Sequence, residues 1–420
     1  MKKIVRIILI WSLISLLLQF GAYSLLNNQV QKVLAPPAPS GPITLQLKAT
    51  IPGTDLTNIQ ISYAKDYLAY SENGTLKVFN LKKQTVVFEK EPPTPNDETL
   101  GVLTYQWLPD RNTLLYFYAK KNPNPVTYVT VYPPKSKSQA SVQTPQPVEP
   151  KTEDPNQKTV KEVPKDVTKE VPVEPRIEKR YGNPQITELY SLDLPDSKED
   201  VAPDNRFNRT IDQFPAGGEI EEWVDATTTN LMYLTIKNGS AEQLMEIDIM
   251  KDISTLSKAR ETIDNMAASD RYGTLYIDSK VGDSRQVVAL NGTKRHVISS
   301  NGNDRILGIR DGKVYIGEVE NDMLVKIKTT TDLSEVKSNP SLTTEWKGSI
   351  PFNKNLRTLI GAKGQMVVYD HQTAYIITAG QLKEVKLHGD ENYVSVDGAE
   401  LIQLTRNGTS TLAELQALEP

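Results

Sequence analysis

Seven dipeptides set the rhythm of this chain: Asn73-Gly74, Asn238-Gly239, Asn291-Gly292, Asn301-Gly302, Asp311-Gly312, Asp397-Gly398 and Asn407-Gly408. A tight two-residue hairpin needs positive φ at its central positions, and Asn, Asp and Gly adopt that conformation at the lowest cost. Short runs rich in β-branched and aromatic residues flank these pairs, and no long stretch keeps a helical period. From about residue 43 onward the chain is therefore expected to be all-β, built of short antiparallel strands joined by tight turns.

The strands recur in units. Each has an aromatic residue, a polar turn, an apolar strand, a second turn, and a strand ending near Asp or Asn. Copies open at Tyr63, Trp107, Trp223, Ser269, Asn303, Trp346 and Tyr393. Outside one long interruption they repeat every ~30–45 residues, the period of propeller blades. A single sheet of this kind cannot bury both faces, so successive sheets must pack face to face around an axis. The expected fold is a β-propeller of about seven blades, six and eight being the neighbouring counts. The stretch Ile43–Ala49 is available to complete the last blade and close the ring. Trp107, Trp223 and Trp346 each stand a few residues ahead of an apolar strand, and are assigned to the space between adjacent blades, where a large aromatic buries much apolar area.

The stretch Trp107-Leu-Pro-Asp-Arg-Asn-Thr-Leu-Leu-Tyr-Phe, continued by Ile186-Thr-Glu-Leu-Tyr-Ser-Leu-Asp-Leu194, resembles a blade of the WD40-like family. That group includes TolB-type propellers and the N-terminal propeller of dipeptidyl peptidase IV-like proteins. Their blades often carry a Trp-x-Pro-Asp turn, an apolar strand, and a strand ending Leu-Tyr-x-Leu-Asp. The match is specific at 107–118 and 189–194, and partial at 223–249, where Met245-Glu246-Ile247-Asp248 stands in the last strand. As architecture the resemblance covers residues ~45–417.

The N-terminus has a different character. Lys2, Lys3 and Arg6 precede an apolar run from Ile7 to Leu26, about the ~20 residues a helix needs to cross a bilayer. The charges should stay cytoplasmic and place the body of the chain outside. This reading gives a cytoplasmic tail at 1–6, a transmembrane signal-anchor at 7–26, a stalk at 27–42 that ends in APPAPSGP, and a single propeller domain at 43–420. The alternative is a cleaved signal peptide and a secreted protein, but Phe20–Ser24 shows no clear small-x-small site and more leucine comes after it.

Residues 147–175 read PVEPKTEDPNQKTVKEVPKDVTKEVPVEP, with no aromatic residue, recurrent proline and alternating charge. Leu114–Ala119 and Val126–Tyr132 before this tract, and Ile186–Leu194 after it, are expected to be strands of one blade. Residues 134–180 should then be a disordered insert looped out of that blade rather than a linker between domains. Proline and charge keep such a loop from pairing with nearby sheet edges.

Several chemistries are excluded or disfavoured by residue type. The chain has no cysteine, which rules out disulfides, thiolate metal sites, thiol catalysis and a lipidated N-terminal cysteine. The three histidines, His296, His371 and His388, have no usual metal-ligand spacing. Gly282-Asp283-Ser284-Arg285-Gln286 begins like a nucleophile elbow but lacks its last glycine and sits where a hairpin turn is expected. Glu219, Glu221 and Glu222 form an acidic cluster before Trp223, read as a solvated strand approach rather than a paired acid site. The Asn-Gly-Thr and Asn-Gly-Ser triplets also match glycosylation acceptors, but the turns already explain them. A net charge of −4 without a basic stripe argues against nucleic acid.

No catalytic, cofactor-binding or metal-binding residue is assigned, and no cofactor is expected. The expected function is a non-enzymatic binding or scaffold module of the bacterial cell envelope. It would be held in the membrane by the N-terminal helix and present an extracytoplasmic propeller to a protein or cell-wall partner. A propeller-type carbohydrate hydrolase or lyase, and a membrane-linked sensor, are the rival functions.

Overall fold

The computed structural model describes residues 47–131 and 176–417, apart from positions 96, 98, 196–198, 249–251, 334–337, 354–355, 362–363 and 396–399. The expected anchor at 7–26, the stalk at 27–42, the Asp397-Gly398 turn and most of the proline-rich insert lie outside these residues. Among the described residues no helix is long and apolar enough to cross a membrane.

Strand β1 (Lys48–Pro52) opens the described chain. Blade 1 comes next, with β2 (Thr57–Ile61), β3 (Tyr67–Glu72), β4 (Thr75–Asn80) and β5 (Thr85–Lys90). Blade 2 holds β6 (Gly101–Trp107) and β7 (Thr113–Lys121), then, after the smaller unit formed by β8 (Val126–Val131) and β9 (Arg176–Tyr181), β10 (Gln185–Asp193) and β11 (Asp204–Thr210). Blade 3 is β12 (Glu219–Ala226), β13 (Leu231–Asn238), β14 (Ala241–Ile247) and β15 (Ile253–Thr255). Blade 4 is β16 (Glu261–Ala268), β17 (Leu275–Val281), β18 (Ser284–Asn291) and β19 (Lys294–Ser299). Blade 5 is β20 (Asp304–Arg310), β21 (Lys313–Glu320), β22 (Met323–Thr331) and β23 (Thr343–Pro351). Blade 6 is β24 (Arg357–Ile360), β25 (Met366–Tyr369), β26 (Thr373–Thr378) and β27 (Gln381–Lys386). Blade 7 has three late strands, β28 (Glu391–Val394), β29 (Glu400–Asn407) and β30 (Ser410–Ala417), and takes β1 as its fourth.

Seven four-stranded antiparallel sheets need seven interfaces to make a ring, and the described residues form seven apolar clusters, one for each pair of neighbouring blades, blade 7 with blade 1 included. The first strands of successive blades touch one another from blade 1 to blade 6, so they line the axis and the fourth strands form the rim. The middle strands are covered on both faces by adjoining blades, which is why they read as unbroken apolar runs such as Tyr67-Leu-Ala-Tyr and Met366-Val-Val-Tyr. The rim strand β27, Gln-Leu-Lys-Glu-Val-Lys, is exposed along almost its whole length.

The tryptophans lie between blades as expected. Trp107 is fully buried in the cluster joining blades 1 and 2. Trp223 packs edge-on against Phe117 of blade 2, ring centroids 5.1 Å apart. Trp346 lies in the cluster joining blades 5 and 6. One detail differs from the expected template. Trp346 sits on β23, a rim strand, whereas Trp107 and Trp223 sit on first strands. Similar local sequence thus recurs at different depths in the blade.

The turns divide into three kinds. At Asn73-Gly74 and Asp311-Gly312 both residues have positive φ, as expected for tight hairpins. At 238, 291 and 407 the Asn ends the strand, and the following Gly, with φ of 61°, 54° and 63°, takes the first turn position. Asn301-Gly302 is not a hairpin at all: it links blade 4 to blade 5, and the Asn301 side chain bonds Asp304 at 3.1 Å. Two hairpins were not expected, Asn321-Asp322 and Ala379-Gly380. The second has alanine in a left-handed conformation, which no turn signal announces.

The strand before the first blade does close the ring, although with different bounds from Ile43–Ala49. β1 pairs with β30, Lys48 opposite Glu414 and Ile51 opposite Thr411. Ala49 and Ile51 are buried in the cluster between blades 7 and 1. The Ile51→Ala variant is expected to lose about 2–5 kcal/mol of unfolding free energy, read by denaturant titration. A loss below about 0.5 kcal/mol would mean that this strand does not hold the ring closed.

The two stretches that carry the WD40-like resemblance are neighbours in space. β7 and β10 pair in register from Thr113↔Asp193 to Lys121↔Gln185, and the Thr113 hydroxyl donates to Asp193 Oδ1 at 2.6 Å. The interruption is therefore looped out within one blade. Two expected bounds change. Val126–Tyr132 is not a blade strand, because both edges of β7 are already taken by β6 and β10. Its residues 126–131 pair instead with Arg176–Tyr181, so residues 176–180 of the expected 134–180 loop are strand. This ribbon belongs to a separate compact unit, Asn122–Pro184. Tyr128, Ile177 and Tyr181 on it are exposed.

Candidate functional site at the propeller axis

First strands place their residues on the axis, and four of them meet around a cavity of about 220 Å³. Asn58, Gln60 and neighbouring residues of β2, Gln106 of β6, Arg357 of β24, and Tyr393 and Val394 of β28 line it. Blades 6, 7, 1 and 2 are consecutive in the ring, so ring closure itself builds this wall.

The β2 wall is irregular. Its pairing with β3 skips between Thr57 and Gln60, and Asn58 lies there at φ 50°. An L-residue in this conformation is strained unless its surroundings hold it, and asparagine tolerates it better than most. The hold is visible. The Tyr105 hydroxyl donates to the Asn58 carbonyl at 2.6 Å, and Gln60 Nε2 donates to the Tyr105 carbonyl at 2.8 Å. The Trp107 indole donates to the Gln60 carbonyl at 3.2 Å. The inter-blade tryptophan thus also fixes the cavity floor.

Gln106 and Arg357 line the cavity from blades 2 and 6. Gln106 Nε2 donates to Asp225 Oδ2 of blade 3 at 3.2 Å. The Arg357 guanidinium lies 5.3 Å from the Tyr393 ring centroid, a cation–π contact, and it also bonds Tyr369. No ion pair engages Arg357 among the described residues. Tyr393 donates its hydroxyl to Glu391 Oε2 at 2.6 Å, and the other oxygen of Glu391 meets Arg406 at 2.9 Å. Burial, then that bond to Glu391, pushes the Tyr393 phenol well above its ordinary pKa. It stays neutral.

Blades 3 and 4 supply buried carboxyls instead. Burial pushes Asp225 up to about 7, although the Trp223 indole donates to its Oδ1 at 2.7 Å. Burial pushes Asp278 up to about 8, against the Ile306 N–H that donates to Oδ1 at 2.6 Å. Burial and the charges of Asp278, Glu242 and Asp264 push Glu222 up to about 8. Asp278 Oδ2 and Glu222 Oε2 are sealed from solvent without a hydrogen-bond partner.

The acidic cluster flagged in the sequence is split by a bulge. The register of β12 shifts between Ile220 and Glu222, leaving Glu221 outward in a 2.8 Å pair with Lys237 while Glu222 turns inward. Glu219 is exposed. The histidines do not gather: His296 lies on β19, His371 and His388 are exposed near β26 and β28, and no metal-holding group of side chains occurs among the described residues. Gly282 sits in the β17–β18 hairpin at φ 60°, not between a strand and a helix. The cavity residues Asn58, Gln106, Arg357 and Tyr393 carried no sequence signal beyond their place on the first strand of a blade.

Fold and site together define the class: a seven-bladed β-propeller with a polar pocket on its axis. No protein-family model and no curated protein matches the sequence. Solved structures similar to it include the WD40 β-propeller domain of Doa1, at 11% identity and TM-score 0.46, over 89% of this chain and 97% of that one. The β-propeller domain of Cps50 (Swd1) from Myceliophteria thermophila gives 12% identity and TM-score 0.45, over 89% and 100%. An acylaminoacyl peptidase from Pyrococcus horikoshii gives 12% identity and TM-score 0.39, over 80% of this chain and 45% of that one. The blade count rests on the strand pairing and the seven inter-blade clusters.

Proposed function

We propose that the chain is a membrane-anchored, extracytoplasmic β-propeller that serves as a non-catalytic binding or scaffold module of the bacterial cell envelope. The observation that carries the binding reading is the axial cavity, lined by amides, one guanidinium and a phenol. These groups hold and orient a ligand. A phenol well above its ordinary pKa and a guanidinium do not shuttle protons at neutral pH. The carboxyls with the most displaced protonation, Asp278 and Glu222, each have an oxygen closed off from solvent, which favours a packing role over proton transfer to a substrate. The envelope placement is supported by the basic N-terminal flank and the apolar run behind it.

The test is affinity capture from envelope extract with the tagged full-length chain, beside a version lacking residues 134–175. Both are expected to recover the same partner, because the deleted tract leaves both strands of the β8–β9 ribbon in place. Recovery of nothing specific by either version would sink the binding reading. Loss of folding on deletion would sink the assignment of the tract as a loop.

A further inference from the structure

Among the described residues that line the cavity there is one cation and no anion. Of the described side chains that line it, only Arg357 is charged. Carboxylates do touch the lining, but they are engaged: Asp225 by Gln106 and Trp223, Glu391 by Tyr393 and Arg406. The Arg357 guanidinium rests on the Tyr393 ring face, a contact that orients it without neutralising it. Its fork of parallel N–H donors matches the two oxygens of a carboxylate. Asn58 lies on the same wall, held in place by the Tyr105 hydroxyl on its carbonyl.

Resting on the binding function proposed above, we infer that the axial pocket recognises a free carboxylate group, carried by Arg357 and placed between Asn58 and Tyr393. The volume of about 220 Å³ admits a compact end group rather than a folded surface. Two sources supply such a group outside a cell: the C-terminus of a peptide and the carboxylate of a sugar acid. A guanidinium in a partly enclosed site binds a carboxylate by charge-assisted hydrogen bonds, so losing the charge is expected to weaken binding by about tenfold or more.

The full-length chain in detergent is titrated at low salt by ligand-observed NMR with four probes. These are acetyl-trialanine as the free acid, the same peptide as its amide, glucuronate, and glucose. At least one acid is expected to bind about tenfold more tightly than its neutral counterpart. Preference for the peptide acid alone identifies a peptide C-terminus, preference for glucuronate alone a sugar acid, and preference for both a carboxylate read without regard to its carrier. R357Q should abolish the preference, and R357K, which keeps the charge but not the fork, should restore part of it. Arg357 is exposed, so these variants are expected to melt as the wild type does. Equal binding of acid and neutral probes, no binding of either acid, or an undiminished preference in R357Q overturns the inference. The comparison of acid with neutral probe in the wild-type chain stands even if a variant fails to fold. Partner capture that succeeds equally with R357Q and wild type preserves the proposed function while removing the pocket from it.

Discussion

Replacing Trp107 by alanine is expected to lower the unfolding free energy by about 3–5 kcal/mol, the usual cost of emptying a large aromatic site in a packed core. The side chain is fully buried, and it touches residues from both blade 1 and blade 2. The substitution removes packing area and also the indole donor to the Gln60 carbonyl, leaving that carbonyl to find another partner. Trp223, only half-buried, should cost less when truncated in the same way. The pair of variants is measured by guanidinium unfolding, with midpoint and slope fitted together. If Trp107→Ala costs under about 1 kcal/mol, or less than Trp223→Ala, the blade 1–blade 2 seam is not organised around this residue.

Stability should also fall as the solution is made more alkaline. Asp278 and Glu222 are pushed up to about 8 in the fold, and Asp225 to about 7. In the unfolded chain such groups titrate near ~4. Between those values the folded state holds protons that the unfolded state has released, so the slope of unfolding free energy with pH is negative. The stability these groups contribute is complete below about pH 4 and is lost as the pH rises toward about 8. Other groups act in the opposite sense and at lower pH. Glu318 is held down to about 2 by Lys326 and Lys328, and Glu261 is lowered by Arg295, opposed by its own burial. Their contribution is present above about pH 4 and disappears on acidification. Maximum stability is thus expected near about pH 5 rather than at neutrality. For Asp278 alone the alkaline loss is on the order of 2–4 kcal/mol. Asp278→Asn keeps an oxygen for the Ile306 N–H and removes the charge, so it should flatten the curve and raise the midpoint at about pH 8. A wild-type midpoint that does not fall between about pH 5 and 8 would show that these carboxyls ionise in the fold as they do in the unfolded chain.

The features legible in the sequence are local ones. Turn pairs, strand runs and the spacing of aromatic residues derive from backbone preference and periodicity, and they lead to an all-β ring with a strand ahead of the first blade closing it. The same signals misplace Asn301-Gly302, where the Asn301 side chain serves a link between blades, and miss Ala379-Gly380, where the chain turns through a conformation that alanine does not favour. They also cannot separate strand depth, so they group Trp346 with two tryptophans from first strands. The site is non-local in a stronger sense. Asn58, Gln106, Arg357 and Tyr393 are single polar residues on short strands, and only closure of the ring brings the first and the last of them to one cavity. No spacing between neighbours in the chain encodes that meeting. The same holds for Val126–Val131, whose exclusion from its blade results from β10 returning after the long interruption to occupy the edge it would have used.

The pairing of β1 with β30 has a consequence for the order in which the molecule is made. Lys48 waits for Glu414, and Ile51 for Thr411. A contact spanning nearly the whole chain forms late, because loop closure over that length must come before any reward from the sheet. During synthesis, then, the blade 1 flank that Tyr393, Ile402, Leu404, Ala413 and Leu415 cover stays open until blade 7 has been made. A chain that ends ahead of Ser410 lacks Ala413, Leu415 and the partner strand of β1, and leaves part of that apolar surface open to chaperones and proteases. The β1–β30 pairing thus ties the order of synthesis to the closing of the ring.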